Sequence, residues 1–384
     1  MTDPNGAHPL KVVLAGGGVA AVEAALALRD LAGGLVETTL VAPNPDLVYR
    51  PMSVREPFGY ASAQQYSLSD IAADLGLELI AETVDRVNTR ASIVHTEEGS
   101  EIPFQALLVA LGAATRAPYE HAITIDDAHL AETLEQLLAD VASGAVQRLV
   151  FVIPGRLAWP FPAYEIALMM QAHAAKAGAS LTTMIVSPEE RPLALFGRGA
   201  SNVVQRLLAE QNIEFISADG CEVPDPNRVV LMPDHRRIDT DRVVSLPTLH
   251  GRGLPGVPRN ARGFIPVDPH CQVRGADLVY AAGDGTDFEL KHGGVASQQA
   301  DAAAEAIAAL AGAPIRPAPF RPVVRGVMLT GRKPLYLSTS YSGGHGFSAR
   351  ITDRATWSPP TKISAKYLGP YLDRIDRGAG ATSA

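Results

Sequence analysis

Three small residues near the start of the chain have the spacing that phosphate chemistry needs. Gly16, Gly18 and Ala21 fill a G-x-G-x-x-G/A pattern. They follow the apolar run Lys11–Ala15 and precede a helical stretch, Val22–Leu31. The first glycine permits a tight strand-to-helix turn, the second lets backbone approach a pyrophosphate, and the small third residue lets helix pack on strand. Free N–H groups and the dipole at the helix start favour an anion, so Val19 and Ala20 join the binding set. One part of the pattern is missing. The acid expected about 20 residues on, which takes the ribose hydroxyls, has no counterpart at the end of the second strand. That strand, Glu37–Val41, runs into Ala42-Pro43-Asn44-Pro45, with Glu37 at the wrong end. Asn44, or a backbone group at Ala42 or Pro43, is the substitute.

A second constellation lies far downstream. The apolar strand Asp277–Ala282 runs into Gly283-Asp284-Gly285, and Lys291-His292-Gly293-Gly294 opens an Ala-rich helix over about 295–310. This pattern resembles the second FAD motif of the flavoproteins with two dinucleotide-binding domains. The resemblance implies FAD as cofactor, with Asp284 hydrogen-bonding the ribitol. It also implies that the helix N-terminus faces the flavin N1–C2=O edge, where negative charge gathers on reduction. Lys291 would add to that field. The segment Ala106–Ala114, with Ala110, Leu111 and Gly112 at its turn, resembles the strand-plus-glycine piece that packs near the flavin. Tyr49, Arg50 and Pro51 follow the second strand, where a loop commonly lies against the cofactor in this superfamily.

Between the two motifs a strand–helix–strand unit survives: Leu149–Ile153, about 163–177, and Leu181–Val186. Its phosphate loop does not. Residues 151–165 read FVIPGRLAWPFPAYE. Pro154, Pro160 and Pro162 remove N–H donors, and Trp159 and Phe161 are bulky where glycines would allow close approach. A conventional NAD(P)H seat is therefore not expected. The replacement P-x-P-x-Y-E, with Ser187-Pro188-Glu189, Leu195-Phe196-Gly197 and Arg262–Asp268, resembles sulfide:quinone oxidoreductases and flavocytochrome c sulfide dehydrogenases, over roughly residues 10–312. Those relatives use a redox cysteine pair beside the flavin. Here Trp159 stands at the place of one cysteine, and Gly312–Leu337 contains none. The only cysteines are Cys221 and Cys271, without C-x-x-C spacing.

The resulting expectation is an α/β chain with two Rossmann-like, doubly wound, three-layer dinucleotide-binding domains and a small C-terminal α+β region. The boundaries read as FAD-binding domain 1–120 and 251–312, a second Rossmann-like domain with a degenerate NAD(P) loop at 121–250, and a flavin-covering or interface region at 313–384. The last part holds a proline-rich linker, strands at Val323–Leu329 and Leu335–Ser338, a loop at Gly343–Gly346, and a short helix over 362–375. The 384 residues are 47% hydrophobic, 19% charged and carry a net charge of −8. That sign argues against a nucleic-acid partner, and no 18-residue apolar run reads as a membrane span. The polar start, MTDPNGAHP, lacks a basic n-region, so a cytoplasmic protein is expected. The aromatic C-terminal helix (Tyr367, Leu368, Tyr371, Leu372) leaves peripheral membrane or homo-oligomer contact open, with packing on the body of the protein favoured. No metal is expected.

Flavin enzymes ask the protein for orientation, electrostatics and exclusion of water. Glu165, Lys291 and His292 are the catalytic candidates: Glu165 as a proton shuttle, Lys291 to stabilise anionic reduced flavin, His292 as a proton relay near neutral pH. The leading expectation is an FAD-dependent oxidoreductase that exchanges electrons with a small acceptor, a quinone being one candidate, without a cysteine relay. Two alternatives stand beside it. One is a type II NADH dehydrogenase-like enzyme with a remodelled nucleotide site. The other is a flavin-binding redox sensor or assembly protein that has lost turnover.

Overall fold

The computed structural model describes residues 8–50, 53–59, 64–125, 129–155, 159–342 and 345–382. Two parallel five-stranded sheets form its centre. The first runs in the order Val279–Ala281, Ala106–Val109, Leu10–Ala15, Val36–Val41, Glu78–Ile80. Its strands are short and apolar because both faces are covered, one by helices Val19–Ala32 and Gly293–Leu310 and the other by the small sheet Val84–Asn88, Ile93–Thr96, Glu101–Pro103 with the segment 254–276. The last strand in sequence thereby lies next to the 106–109 strand, which in turn pairs with the first. Backbone bonds continue past the strand ends. Gly16 N–H donates to Val41 O at 2.8 Å, Ala110 N–H to Ala15 O at 2.8 Å, and Ala282 N–H to Val109 O at 3.1 Å. The two glycine motifs, nearly 270 residues apart, are thus set side by side at the carboxyl ends of the strands, where open α/β sheets bind ligands.

The helices Val19–Ala32 and Gly293–Leu310 follow those motifs and pack against each other through alanines, among them Ala20, Ala24 and Ala27 on one and Ala296, Ala300 and Ala303 on the other. Small side chains let the two backbones come close, which keeps both N-termini near one line.

The second sheet has the order Ile123–Thr124, Arg242–Ser245, Arg148–Val152, Thr182–Ser187, Ile213–Ser217, again parallel throughout. Helix Phe161–Ala177 is apolar nearly all round, and its core (Tyr164, Ile166, Ala167, Leu168, Met170) is fully enclosed. It joins one cluster that also contains Val324, Met328 and Leu337 of the C-terminal sheet.

The C-terminal region differs from the sequence reading in two ways. Its sheet has three antiparallel strands, Val323–Met328, Leu335–Ser342 and His345–Thr352, so His345 and Gly346 belong to a strand; Gly343 and Gly344 of the expected loop lie outside the described residues. The helix expected over 362–375 runs instead over Leu368–Thr382. Residues 361–367 ahead of it are irregular and held by long-range contacts, and Pro370 falls in the first turn, where a missing N–H costs nothing. Leu368, Tyr371 and Leu372 are buried against the first sheet's helices. Among the described residues no helix is long and apolar enough to cross a membrane.

Candidate functional site

The glycine turn at 16–18 is shaped by contacts that only a hydrogen side chain allows. Gly16 has φ +123°, and a Cβ there would lie 2.4 Å from Ala110 O. Gly17, which the spacing argument leaves out, is equally constrained, since its Cβ would meet Leu68 Cδ1 at 2.6 Å and Ala42 Cβ at 2.9 Å. Gly18 is different: a Cβ there would meet nothing within 4 Å. Its backbone therefore borders open space at the start of helix Val19–Ala32. Ala21 is buried and Ala20 nearly so. Ala20 Cβ would be 3.4 Å from a Cβ on Gly283, which brings the second motif into contact with the first. Ala42 is buried, while Pro43 and Asn44 are exposed beyond the second strand.

The loop after Ala282 is fixed by its own side chains. Gly283 N–H donates to Gln299 Oε1 at 2.8 Å, and Thr286 Oγ1 donates to Gly283 O at 2.9 Å. A Cβ on Gly285 would approach Gly112 O at 3.0 Å, so Leu111 and Gly112 lie beside it, while Ala110 backs Gly16. Asp284 is thereby held at the edge of a cleft of ≈ 260 Å³.

That cleft gathers side chains from every part of the chain. Val19 and Gly293 open the two Ala-rich helices, Asp284, Lys291 and His292 come from the loop before the second of them, and Arg50 follows strand Asp46–Tyr49. Trp159, Phe161 and Glu165 come from the remodelled loop and its helix, and Lys362 and Ile363 from the C-terminal segment. Pro51 lies outside the described residues.

Residues 10–300 match the family described as pyridine nucleotide-disulphide oxidoreductase. The chain belongs to that family. The sulfide-quinone reductase of Aquifex aeolicus (strain VF5) is 26% identical over 230 residues, covering 57% of this chain and 53% of that relative. The match thus spans about half the length of that protein. In three dimensions the sulfide:quinone oxidoreductase structure from the hyperthermophilic bacterium Aquifex aeolicus superposes with a TM-score of 0.77 at 19% identity, over 95% of this chain and 90% of that one. A NAD-dependent persulfide reductase from A. fulgidus gives 0.61 at 15% identity, over 87% and 64%. This pyridine nucleotide-disulphide oxidoreductase family member is an FAD-dependent oxidoreductase, and its loops fit the cofactor: a bare backbone at Gly18, a helix N-terminus behind it, and a carboxylate at Asp284 facing the cleft.

The three catalytic candidates all reach the cleft, with roles that differ from the sequence expectation. Glu165 is 1% exposed. It accepts the Leu329 N–H at 2.9 Å, and Lys362 Nζ lies 2.8 Å from both of its oxygens. Lys362, 197 positions away in the sequence, is the partner that spacing could not reveal. Lys291 is buried. Its ammonium donates to Thr286 O at 2.5 Å and sits 4.2 Å over the Phe264 ring. Burial pulls its pKa down to about 8, against the pull of Asp284 and Asp287. Its first task is thus to brace the Asp284 loop.

His292 makes a contact that the sequence does not suggest. Its Nδ1 accepts the Gly294 N–H at 3.1 Å, so the imidazole caps the helix whose free N–H groups were expected to face the flavin. Burial, with the charge of Lys362, pushes its pKa down to about 3. The cap and the lowered pKa both favour a neutral ring over the proton relay expected near neutral pH. Gly293 serves close packing, because a Cβ there would lie 2.5 Å from Ile363 Cδ1. Trp159 stacks between Phe161 (centroids 4.4 Å, 17°) and His292 (4.2 Å, 40°), filling the wall of the cleft where the relatives' cysteine is expected.

Neither cysteine lines the cleft. Cys271 is fully buried, and burial, with Asp268, pushes its thiol far up. Cys221 is half-buried, with its Sγ 3.5 Å from Tyr119 Oη, and burial raises it too. Both are unsuited to act as thiolates.

In the second sheet, Glu189 follows strand Thr182–Ser187, near the position from which an acid would hold a nucleotide ribose. It is turned inward. Tyr164 Oη donates to it at 2.7 Å, Ser187 Oγ at 3.1 Å and Ala194 N–H at 3.1 Å.

Proposed function

We propose that this protein passes electrons through FAD between a reduced donor and a small acceptor, for which a quinone is the candidate, and that it does so without a cysteine relay. The observation that carries the reading is Trp159, stacked between Phe161 and His292 at the cleft wall, with both thiols buried or half-buried elsewhere. Similarity to the sulfide-quinone reductase of Aquifex aeolicus supports the choice of acceptor class. The domain boundaries read from the sequence belong to the same proposal.

FAD supplies the two-electron chemistry when bound. The chain's own residues bind and enclose it. The Gly16–Ala21 turn receives the pyrophosphate, Asp284 the ribitol, and Lys291 keeps the Asp284 loop in place. Phe161, Trp159 and Ile363 exclude water on the open side. Glu165 and Lys362 put a matched pair of charges at the cleft, able to hold a proton near the reacting ring.

The NADH-dependent alternative is disfavoured by the inward turn of Glu189 and by the prolines of the 154–162 loop. An anaerobic titration distinguishes the two. The flavin absorbance is expected to resist stoichiometric NADH, and dithionite-reduced protein is expected to be reoxidised by a short-chain ubiquinone. Bleaching by NADH would assign the nucleotide reading; reduced flavin untouched by quinone would remove the acceptor class.

A further inference from the structure

Two carboxyl groups meet between the Ala-rich helices, away from the cleft itself. Glu23, on Val19–Ala32, has no exposed surface. It accepts the backbone N–H groups of Lys366 (2.8 Å), Tyr367 (3.0 Å) and Leu368 (2.5 Å), the donors that open helix Leu368–Thr382. Asp301, on Gly293–Leu310, is hydrogen-bonded to Glu23, while its Oδ1 is buried without a partner among the described residues. Two carboxylates cannot bond each other, so the pair must carry a proton. The three N–H donors converge on Glu23 and favour its charged form. The proton therefore sits on Asp301.

We propose that this one-proton carboxyl pair is a pH-sensitive latch, holding the segment Thr361–Leu368 across the cleft and loosening it when the proton is lost. The segment is tied at both ends. Lys362 meets Glu165, Ile363 packs on Gly293, and three residues later the chain is fastened to Glu23. Loss of the Asp301 proton sets two buried anions against each other beneath that second fastening.

The surrounding charges do not cancel this effect. Lys366 faces the pair from the segment itself, and Glu305 from the same helix as Asp301. Tyr49 feels the Glu23 charge from strand Asp46–Tyr49, and Asp30 on the Glu23 helix accepts from Tyr367 Oη at 3.2 Å. Burial first, then the charge of Glu23, pushes Asp301 up to about 8, with Lys366 opposing. The docked state thus holds a proton that a released Asp301 gives up. Docking is complete below the ordinary aspartate range and is lost as pH rises through about 8.

Hydrogen–deuterium exchange of the FAD-loaded protein, corrected for intrinsic rates, reads this directly. Protection of the 366–368 amides is expected to fall roughly tenfold per pH unit between about pH 4 and pH 8 and to level off above it. In Asp301→Asn, which keeps a donor toward Glu23 and does not ionise, the profile should be flat. Where that variant does not fold, Glu23→Gln removes the repelling charge and should make the loss of protection end at a lower pH than in the native protein. A flat profile in the native protein, an equally steep one in folded Asp301→Asn, or an unmoved one in Glu23→Gln overturns the latch. The readout is backbone exchange, so it stands apart from whether quinone is the acceptor.

Discussion

Lys362 Nζ lies 2.8 Å from both carboxylate oxygens of Glu165, joining the C-terminal segment to the helix of the remodelled loop at the cleft. The contact is nearly dry, with Glu165 1% and Lys362 11% exposed. In such surroundings removing one partner matters more than the pair's net worth, because the other charge stays buried. Lys362→Ala is expected to destabilise the protein by about 3–5 kcal/mol, read by urea unfolding with FAD bound. The double variant Glu165→Gln/Lys362→Met should recover most of that loss. A double variant as unstable as the single one would mean that the pair does not act through buried charge.

Asp284 should govern cofactor retention. Loss of a buried hydrogen-bond acceptor leaves a ribitol hydroxyl unpaired, at a cost of about 1–3 kcal/mol. Asp284→Ala is therefore expected to weaken FAD binding by roughly 10- to 100-fold, seen as a lower flavin-to-protein absorbance ratio after gel filtration. Full retention would show that the second motif is misassigned.

Thiol chemistry should be dispensable. Cys221→Ser and Cys271→Ser are expected to leave flavin reduction rates unchanged, measured by stopped-flow with a chemical reductant and with quinone. Cys271→Ser should lose about 1–3 kcal/mol of stability, since a hydroxyl replaces a fully buried sulfur. A large rate loss in either folded variant would restore a cysteine route.

His292 sets a signature in acid. Its folded pKa of about 3 lies below the ordinary 6.5, so the unfolded chain takes the proton first. Its contribution is present above pH 6.5 and is lost as pH falls toward 3, at a limiting slope of about 1.4 kcal/mol per unit. His292→Asn keeps an acceptor for the Gly294 N–H, as a capping residue should. Asp301 titrates in the opposite sense over part of the range, so the test is the difference between native and variant curves. The native protein should show the steeper acid loss by one proton; parallel curves would place the imidazole in contact with solvent.

Much of this protein is determined by the sequence alone. The spacing of Gly16, Gly18 and Ala21, the Gly283-Asp284-Gly285 turn, the alternation of apolar strands with helices, and the substitution of Trp159 for a cysteine are all local features. Their consequences follow from backbone geometry within a few residues, and they suffice to indicate the fold and the cofactor. The tertiary structure decided what those residues touch. Glu165 meets Lys362 across 197 positions, and Glu23 meets Leu368 across 345. His292 becomes a neutral cap only because Trp159 and the C-terminal segment close over it. Lys291 turns to Thr286 O because Phe264 offers its ring. A side chain's ionisation state depends on burial and on neighbours brought by distant elements. Spacing along the chain carries no record of either.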